Sequence, residues 1–292
     1  MSLSSGLASK AVEPLPLSEL TWYRLGGPPR ALFRPRTVRE LGEVLAACRA
    51  EGMPARVLGR GANVLVPDGG YDGAVIQLSG RGFARVRFDG VRVCAGGAAD
   101  LPRLIRRAVR RGLAGLEGLG GIPGTVGGAV RMNAGGRFGS IGDVVGRVRV
   151  YEEGEGTYWI ERDAVGFGYR HTDLAGRIVI GAEFELARDD PRRIRERLLS
   201  AWAYKKESQP LAAHSAGCVF RNPPGESAGR LIDGAGLKGL RCGLARVSEQ
   251  HANFIVADEG AKASDVIELI REVRERVFDQ YEVRLELEID VW

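Results

Sequence analysis

The residues of this sequence best suited to hold a ligand are glycines. Gly59, Arg60, Gly61, Ala62, Asn63 and Val64 form one short loop-like stretch, and a second, Gly115 to Gly128, has seven glycines in fourteen positions. Residues without a Cβ let successive backbone N–H groups turn toward one point, the arrangement that cradles a phosphate or pyrophosphate. A set of tight turns would need the same residues, so the spacing alone leaves both readings standing.

Better-known signatures are missing or misplaced. No GxxxxGK[ST] run occurs, which excludes a P-loop. Gly234, Gly236 and Gly239 satisfy GxGxxG. A helix-like segment, Ala228–Ile232, precedes them and no periodic helix follows, whereas a dinucleotide turn of that kind needs a strand before and a helix after. His171, His214 and His251 are the only histidines, without HExxH or GxSxG, and each alone is more readily structural than catalytic. Cys48, Cys94, Cys218 and Cys242 form no CxxC pair, so neither a zinc site nor a disulfide framework is expected, and no other metal.

The elements that must position these residues can be read from periodicity. Thr37 and Glu40 form a capping box, and Val38, Leu41, Val44, Leu45 and Cys48 share a helical face before Gly52 and Pro54 end it. Strands are expected at 55–59, 73–78, 91–96, 144–151 and 178–186. Further helices are expected from Asp100 to Arg111, from Pro191 through Trp202, and over Ser264–Asp279. Val283, Leu285, Leu287, Ile289 and Val291 alternate with Arg284, Glu286, Glu288 and Asp290, which predicts a terminal strand with one core face; a solvated face is the plain reading of its acids. The pattern is α+β. It divides into an N-terminal arm (1–20), stretches at 21–80 and 81–190, and a last part at 191–292, with the polar run Lys205–Ser215 near a boundary.

Composition narrows the function classes. The 292 residues suffice for two or three cored units, and the 42 glycines have no three-residue period, which excludes collagen. The net charge of +5 comes from scattered arginines without a dense basic run, so no nucleic-acid partner is expected. No apolar run reaches a membrane span and no signal-peptide core opens the chain, so a cytoplasmic protein without a membrane partner is expected.

An ordered set of segments then carries a specific resemblance. TWYRLGG (21–27), LGRGANVL (58–65), GLEGLGGIPGTVGGA (115–129), MNAG (132–135), YRH (169–171), QPL (209–211), SAGCVFRNP (215–223), AGRLI (228–232), AGLKG (235–239), VSEQHANF (247–254) and LELEI (285–289) resemble the UDP-N-acetylenolpyruvoylglucosamine reductase family, in family order from about residue 20 to the C-terminus. The chain has no obvious insertion and is similar to the shorter of two family forms.

The resemblance implies a FAD-binding unit of the vanillyl-alcohol-oxidase-like (PCMH) type in two subdomains, 21–80 and 81–190, and a substrate-binding domain at 191–292. It implies a reaction as well. NADPH reduces FAD, and the reduced flavin reduces the enolpyruvyl ether of UDP-N-acetylglucosamine to the lactyl ether of UDP-N-acetylmuramate, a step toward the peptidoglycan precursor. The pyrophosphate of FAD would sit on Gly59, Arg60, Gly61, Ala62, Asn63 and Val64 and on Gly121, Ile122, Pro123, Gly124, Thr125, Val126, Gly127 and Gly128, with Asn133 near the isoalloxazine. Arg170 would hold the substrate carboxylate, for which its planar, permanently charged fork is suited. Glu288 would polarise the developing acid, and a raised pKa is expected there. Cys218 stands where the family usually has serine. A thiol is a stronger acid than an alcohol and is the expected proton donor. Lys205, Lys206, Gln209, Arg221, Asn222, Arg230 and His251 are the candidates for substrate contacts, and the chain is expected to be a monomer. The glycines by themselves also fit another FAD oxidoreductase on the same scaffold, or a basic binding protein without activity.

Overall fold

Local signals place the helices. In the computed structural model, which describes residues 5–292, Thr37 is extended and its hydroxyl accepts from the Glu40 N–H at 3.1 Å, while Asp100 accepts from the Arg103 N–H at 2.7 Å. Each side chain thereby satisfies a donor that the first helical turn leaves over. Chain contacts divide the molecule into two units. The first takes the residues up to Glu13, Ala31–Gly59 and Gly73–Tyr204; the second takes Pro14–Arg30, Arg60–Asp72 and Lys205–Trp292.

The first unit has two hydrophobic cores. One lies around Ala31, Phe33, Leu41, Val44, Cys48, Ala74 and Ile76. Here α1 (Ser5–Ala8) and α2 (Val38–Ala50) accompany a sheet in the order Ala11–Val12, Pro29–Phe33, Tyr71–Ile76, Ala55–Val57. Past the short α3 (Gly80–Ala84) comes an antiparallel five-stranded sheet in the order Gly156–Glu161, Val145–Glu152, Ile178–Glu185, Arg92–Gly96, Val86–Asp89. Its Val93, Val148, Val150, Ala182 and Phe184 pack with Leu104, Ile105 and Ala108 of α4 (Leu101–Val109) and with Val126 and Val130 of α5 (Val126–Arg131). α6 (Pro191–Ser208) starts where Asp190-Pro191 indicates and runs past Trp202.

The second unit packs α7 (Ala228–Gly234) and α8 (Ala263–Tyr281) on a three-stranded sheet of Arg241–Cys242, Ala245–Val247 and Ile255–Ala257. Val266, Leu269, Ile270, Val273 and Val277 of α8 face a core with Leu65, Val219, Phe220, Leu231, Ile232, Leu285 and Ile289. Asp68 supplies the start of α8, accepting from the N–H groups of Ala263 (2.7 Å) and Ser264 (3.0 Å).

Three expectations need correction. The 1–20 stretch is not a loose arm: residues 1–4 lie outside the described residues, but Leu7 and Leu17 are fully buried and Ala11–Val12 pairs with Leu32–Phe33. Too few apolar residues recur there to make a period, yet Leu7 and Leu17 are shut away from solvent. Of the alternating run Val283–Val291, only Asp290–Val291 forms ladder pairs as a strand, in parallel with Val64–Leu65. Upstream, Leu287 bridges Phe220, so the segment changes partners along its length. The stretch expected as one subdomain, 21–80, contributes to both units, because residues 14–30 and 60–72 pack with the C-terminal part.

Candidate functional site

The glycine loop of the first unit is shaped by positive φ angles. Gly121 (+80°) and Gly124 (+120°) adopt backbone that L-residues rarely take, and a Cβ on Gly124 would meet nothing within 4 Å. Thr125 closes the loop: its hydroxyl oxygen accepts from the Gly128 N–H at 3.2 Å and caps α5, leaving its proton to donate. Gly59 runs against that hydroxyl, where a Cβ would come within 2.8 Å. The N–H groups of Val126 and Gly127 are consumed by the carbonyls of Ala99 and Gly97. Among the described residues no backbone carbonyl takes up those of Gly121, Gly124 and Thr125. Three of the expected backbone donors, at Val126, Gly127 and Gly128, thus hold the loop together rather than face a ligand. The bare face at Gly124, the unused donors and the Thr125 hydroxyl fit the pyrophosphate of a dinucleotide.

Asn133 follows α5, buried, with φ +43°. Its Nδ2 donates to the Gly168 carbonyl at 2.8 Å and its Oδ1 accepts from the Gly142 N–H at 3.0 Å. Both ends of the amide are thus engaged with backbone. Gly168 opens a hairpin, Phe167–Gly168 with His171–Thr172, whose two-residue tip is Tyr169 and Arg170. Arg170 sits at φ +52°, a left-handed conformation uncommon for a residue with a long side chain, and such outliers persist where surrounding contacts impose them. Its guanidinium donates to the Gly135 carbonyl at 2.7 Å and lies over the exposed Tyr169 ring at 5.1 Å.

In the second unit, the segments carrying Cys218 and Glu288 pair with each other. The Glu288 N–H donates to the Val219 carbonyl and the Arg221 N–H to the Glu286 carbonyl, both at 2.8 Å. Asn63 joins them, its Nδ2 donating to the Glu288 carbonyl at 3.0 Å and its own carbonyl accepting from the Asp290 N–H at 2.9 Å. Gly61 must lack a side chain, since a Cβ would lie 2.3 Å from the Leu20 carbonyl oxygen. Glu288 is half-buried, whereas the Glu286 side chain is 79% exposed.

Of the substrate candidates, Lys205 is buried, Lys206 is exposed, and Gln209 and Arg221 are half-buried. Asn222 accepts from the Ala228 N–H at 3.0 Å, at the start of α7. Arg230 is exposed and paired with Glu226 one helical turn earlier, a surface ion pair of little energetic weight. His251 is half-buried. Its Nδ1 accepts from the Asn253 N–H at 3.3 Å, its ring meets Phe254 at 4.9 Å, and burial holds its pKa below the usual histidine value. It is a neutral, packed side chain. The literal GxGxxG is the end of α7, with Gly236 and Gly239 in the left-handed region and no helix after it. No group of three potential metal ligands occurs among the described residues, and none of their helices is long and apolar enough to cross a membrane.

Comparison with known proteins decides the family. A FAD binding domain model matches residues 29–160, and the model of the UDP-N-acetylenolpyruvoylglucosamine reductase C-terminal domain matches 209–292. The chain is 44% identical to UDP-N-acetylenolpyruvoylglucosamine reductase of Moorella thermoacetica, over 99% of this chain and 96% of that one. It belongs to the UDP-N-acetylenolpyruvoylglucosamine reductase family. Reductase 2 of Symbiobacterium thermophilum is 43% identical over 95% of this chain and 90% of its own length. The crystal structure of the Thermus caldophilus reductase superposes with a TM-score of 0.85 at 43% identity, covering 96% of this chain and 98% of that one. The expected α+β fold with a FAD-binding unit is borne out.

Within this reductase, one residue with a clear structural task was not singled out from the sequence. Asn253 is buried. Its carbonyl accepts from the Val219 N–H, its Oδ1 from the Phe220 N–H at 2.9 Å, and its Nδ2 donates to the Phe220 carbonyl at 2.7 Å, so it clamps the chain next to Cys218. The only sequence signal was an asparagine within an otherwise apolar run, Ala252–Phe254.

Proposed function

We propose that this protein carries out the NADPH-dependent, FAD-mediated reduction of UDP-N-acetylglucosamine enolpyruvate to UDP-N-acetylmuramate, with Arg170, Cys218 and Glu288 as its catalytic residues. The observation that carries the activity is 44% identity with a reductase of that name across 99% of the chain. When bound, FAD supplies the redox chemistry, taking two electrons from NADPH and giving them to the enolpyruvyl double bond. The chain's own residues manage charge and protons. Gly59, Gly121, Gly124 and Thr125 present the backbone and hydroxyl groups that bind the cofactor's pyrophosphate.

Reduction at the methylene carbon leaves negative charge on the neighbouring carbon and its carboxylate. Arg170 pairs with that carboxylate through a fork that cannot lose its proton. Its guanidinium is pre-ordered by the Gly135 carbonyl and by a backbone that the hairpin holds in place. Glu288, half-buried where Glu286 is exposed, shares the developing charge through a hydrogen bond. Cys218 gives its proton to the charged carbon, and the thiolate left behind is a far more stable anion than the alkoxide of a serine would be. Lys205, Lys206, Gln209, Arg221 and Asn222 complete the reading as contacts to the nucleotide sugar, in a monomeric cytoplasmic enzyme without nucleic-acid or membrane partners.

The test separates the two half-reactions. Purified holoprotein should consume NADPH only when the enolpyruvyl nucleotide is added. In Cys218→Ala, reduction of bound flavin by NADPH should proceed while reoxidation by the enolpyruvyl substrate slows by about 10²–10⁴-fold, the usual contribution of a positioned acid. Equal loss in both half-reactions would assign Cys218 to structure, and failure of the substrate to reoxidise the flavin would overturn the activity.

A further inference from the structure

Asn133 combines burial, a left-handed backbone and an amide with both ends engaged, and both bonds of its side chain lead to the segments that hold the hairpin of Arg170. Its Nδ2 holds the Gly168 carbonyl, the residue from which the Tyr169–Arg170 tip departs. Its Oδ1 holds the Gly142 N–H, and the Arg162 guanidinium holds the Gly142 carbonyl at 2.9 Å while lying over the ring of Phe167, at the other end of the same hairpin strand. Gly142 admits no side chain, because a Cβ would lie 2.7 Å from Phe167 and 2.8 Å from the Asn133 Oδ1. The second strand is tied to the same helix end. Thr172, fully buried, donates its hydroxyl to the Arg131 carbonyl at 2.8 Å, and Arg131 returns a bond to the Thr172 carbonyl at 3.3 Å. Two residues past Asn133, the Gly135 carbonyl takes the Arg170 guanidinium itself.

We infer that Asn133 is a positioning residue for Arg170: the juxtaposition of its amide with the Gly168 carbonyl and the Gly142 N–H fixes the hairpin tip so that the guanidinium fork is aimed before the substrate carboxylate arrives. The inference rests on the carboxylate-binding role proposed for Arg170. Asparagine suits the position for two reasons. It tolerates the left-handed backbone better than most residues, and its amide offers one donor and one acceptor for the carbonyl and N–H it meets. Without the side chain, the part-buried Gly168 carbonyl and the buried Gly142 N–H lose their partner and the tip gains freedom, so order that was built in must be supplied when the carboxylate binds. α5 begins at the Thr125 cap of the glycine loop and ends at Arg131, two residues before Asn133, so one helix connects the proposed cofactor loop to the residues that hold the arginine hairpin.

Equilibrium binding by calorimetry provides the test, with two ligands on the purified holoprotein. UDP-N-acetylglucosamine enolpyruvate carries the carboxylate, and UDP-N-acetylglucosamine lacks it. Asn133→Gly keeps the left-handed backbone and removes only the amide. It should weaken binding of the enolpyruvyl nucleotide by about tenfold or more and leave UDP-N-acetylglucosamine and flavin content within about twofold of the native protein. Asn133→Asp keeps the acceptor for Gly142 and sets an oxygen against the Gly168 carbonyl, so it should show the same selective loss and serves if the glycine variant does not fold. Unchanged binding of both ligands would overturn the inference, and so would equal weakening of both or loss of flavin. Arg170→Ala separates the two levels: if it does not discriminate between the ligands, the carboxylate role of Arg170 fails, whereas if it does and the Asn133 variants do not, only the positioning role fails.

Discussion

Gly124 and Gly127 are three residues apart on the proposed cofactor loop, and the structure assigns them opposite sensitivities. A Cβ at 127 would lie 2.9 Å from the Val179 carbonyl oxygen and 3.0 Å from that of Gly97. Both are backbone atoms, and Gly97 is bonded to Gly127 and to Ile180, so neither can swing aside. Gly127→Ala is an overpacking change of about 1–3 kcal/mol, which lowers the melting temperature of a unit this size by about 2–10 °C. A Cβ at 124 would touch nothing within 4 Å, but φ of +120° is a conformation alanine avoids, at a cost of about 1–3 kcal/mol unless the loop relaxes. A relaxed loop no longer aims the N–H groups of Gly124 and Thr125, and losing two hydrogen bonds to a charged pyrophosphate costs about 3 kcal/mol or more, roughly 100-fold in Kd. The assay is thermal unfolding of flavin-stripped protein beside a flavin fluorescence titration. Gly124→Ala should melt close to the native apoprotein and bind FAD about 100-fold more weakly, whereas Gly127→Ala should lose both stability and flavin. Native flavin affinity in Gly124→Ala would refute the reasoning, as would a greater loss of apoprotein stability there than in Gly127→Ala.

Other outcomes follow from single contacts. Glu288→Ala should reduce turnover with the enolpyruvyl substrate by at least about 100-fold, while Glu286→Ala, at a side chain 79% exposed, should stay within about threefold, the scale of a surface change; comparable losses in steady-state kinetics would remove the assignment. Asp68→Ala should destabilise the protein by about 1–2 kcal/mol in urea unfolding, through loss of two bonds at the start of α8. Burial holds the His251 pKa below its unfolded value of about 6.5, so the unfolded chain takes up the proton first. Its contribution to stability is therefore present above about pH 6.5 and is lost as pH falls through the lower folded-state pKa. His251→Gln should flatten that part of a stability-against-pH curve, and an unchanged slope would show that folding leaves the proton affinity of the ring as it is in the unfolded chain.

Much of the scaffold was legible because its signals are local. Thr37 and Asp100 announce helices through side chains that reach their own first turns, and the four main helices and the central sheet strands stand within a few residues of where periodicity puts them. The failure of Gly234, Gly236 and Gly239 as a dinucleotide turn was also readable, since it depended only on which elements flank them. What escaped depends on partners far away in sequence. Leu7 and Leu17 are single apolar residues whose burial no period reports, and the Val283–Val291 alternation cannot reveal that its pairing passes from 219–221 to 63–65. Asparagine side chains were the hardest to read. Asn63, Asn133 and Asn253 each spend a side-chain amide on a backbone group 33 to 225 residues away, and an amide's chemistry suits a ligand as well as it suits a carbonyl.

The parallel pairing of Asp290–Val291 with Val64–Leu65 has a consequence for synthesis. Residues 14–30 and 60–72 leave the ribosome early, but the unit they belong to takes its last strand from the final three positions, where the Trp292 N–H closes on the Leu65 carbonyl. At about 5–20 residues per second, some 10–45 s separate the emergence of Val64 from that of its partner. For that interval Tyr23 and Leu65, both fully buried at the end, have no completed core to enter. The early segments therefore wait with their apolar side chains uncovered until residues 216–289, which complete that core, have been made.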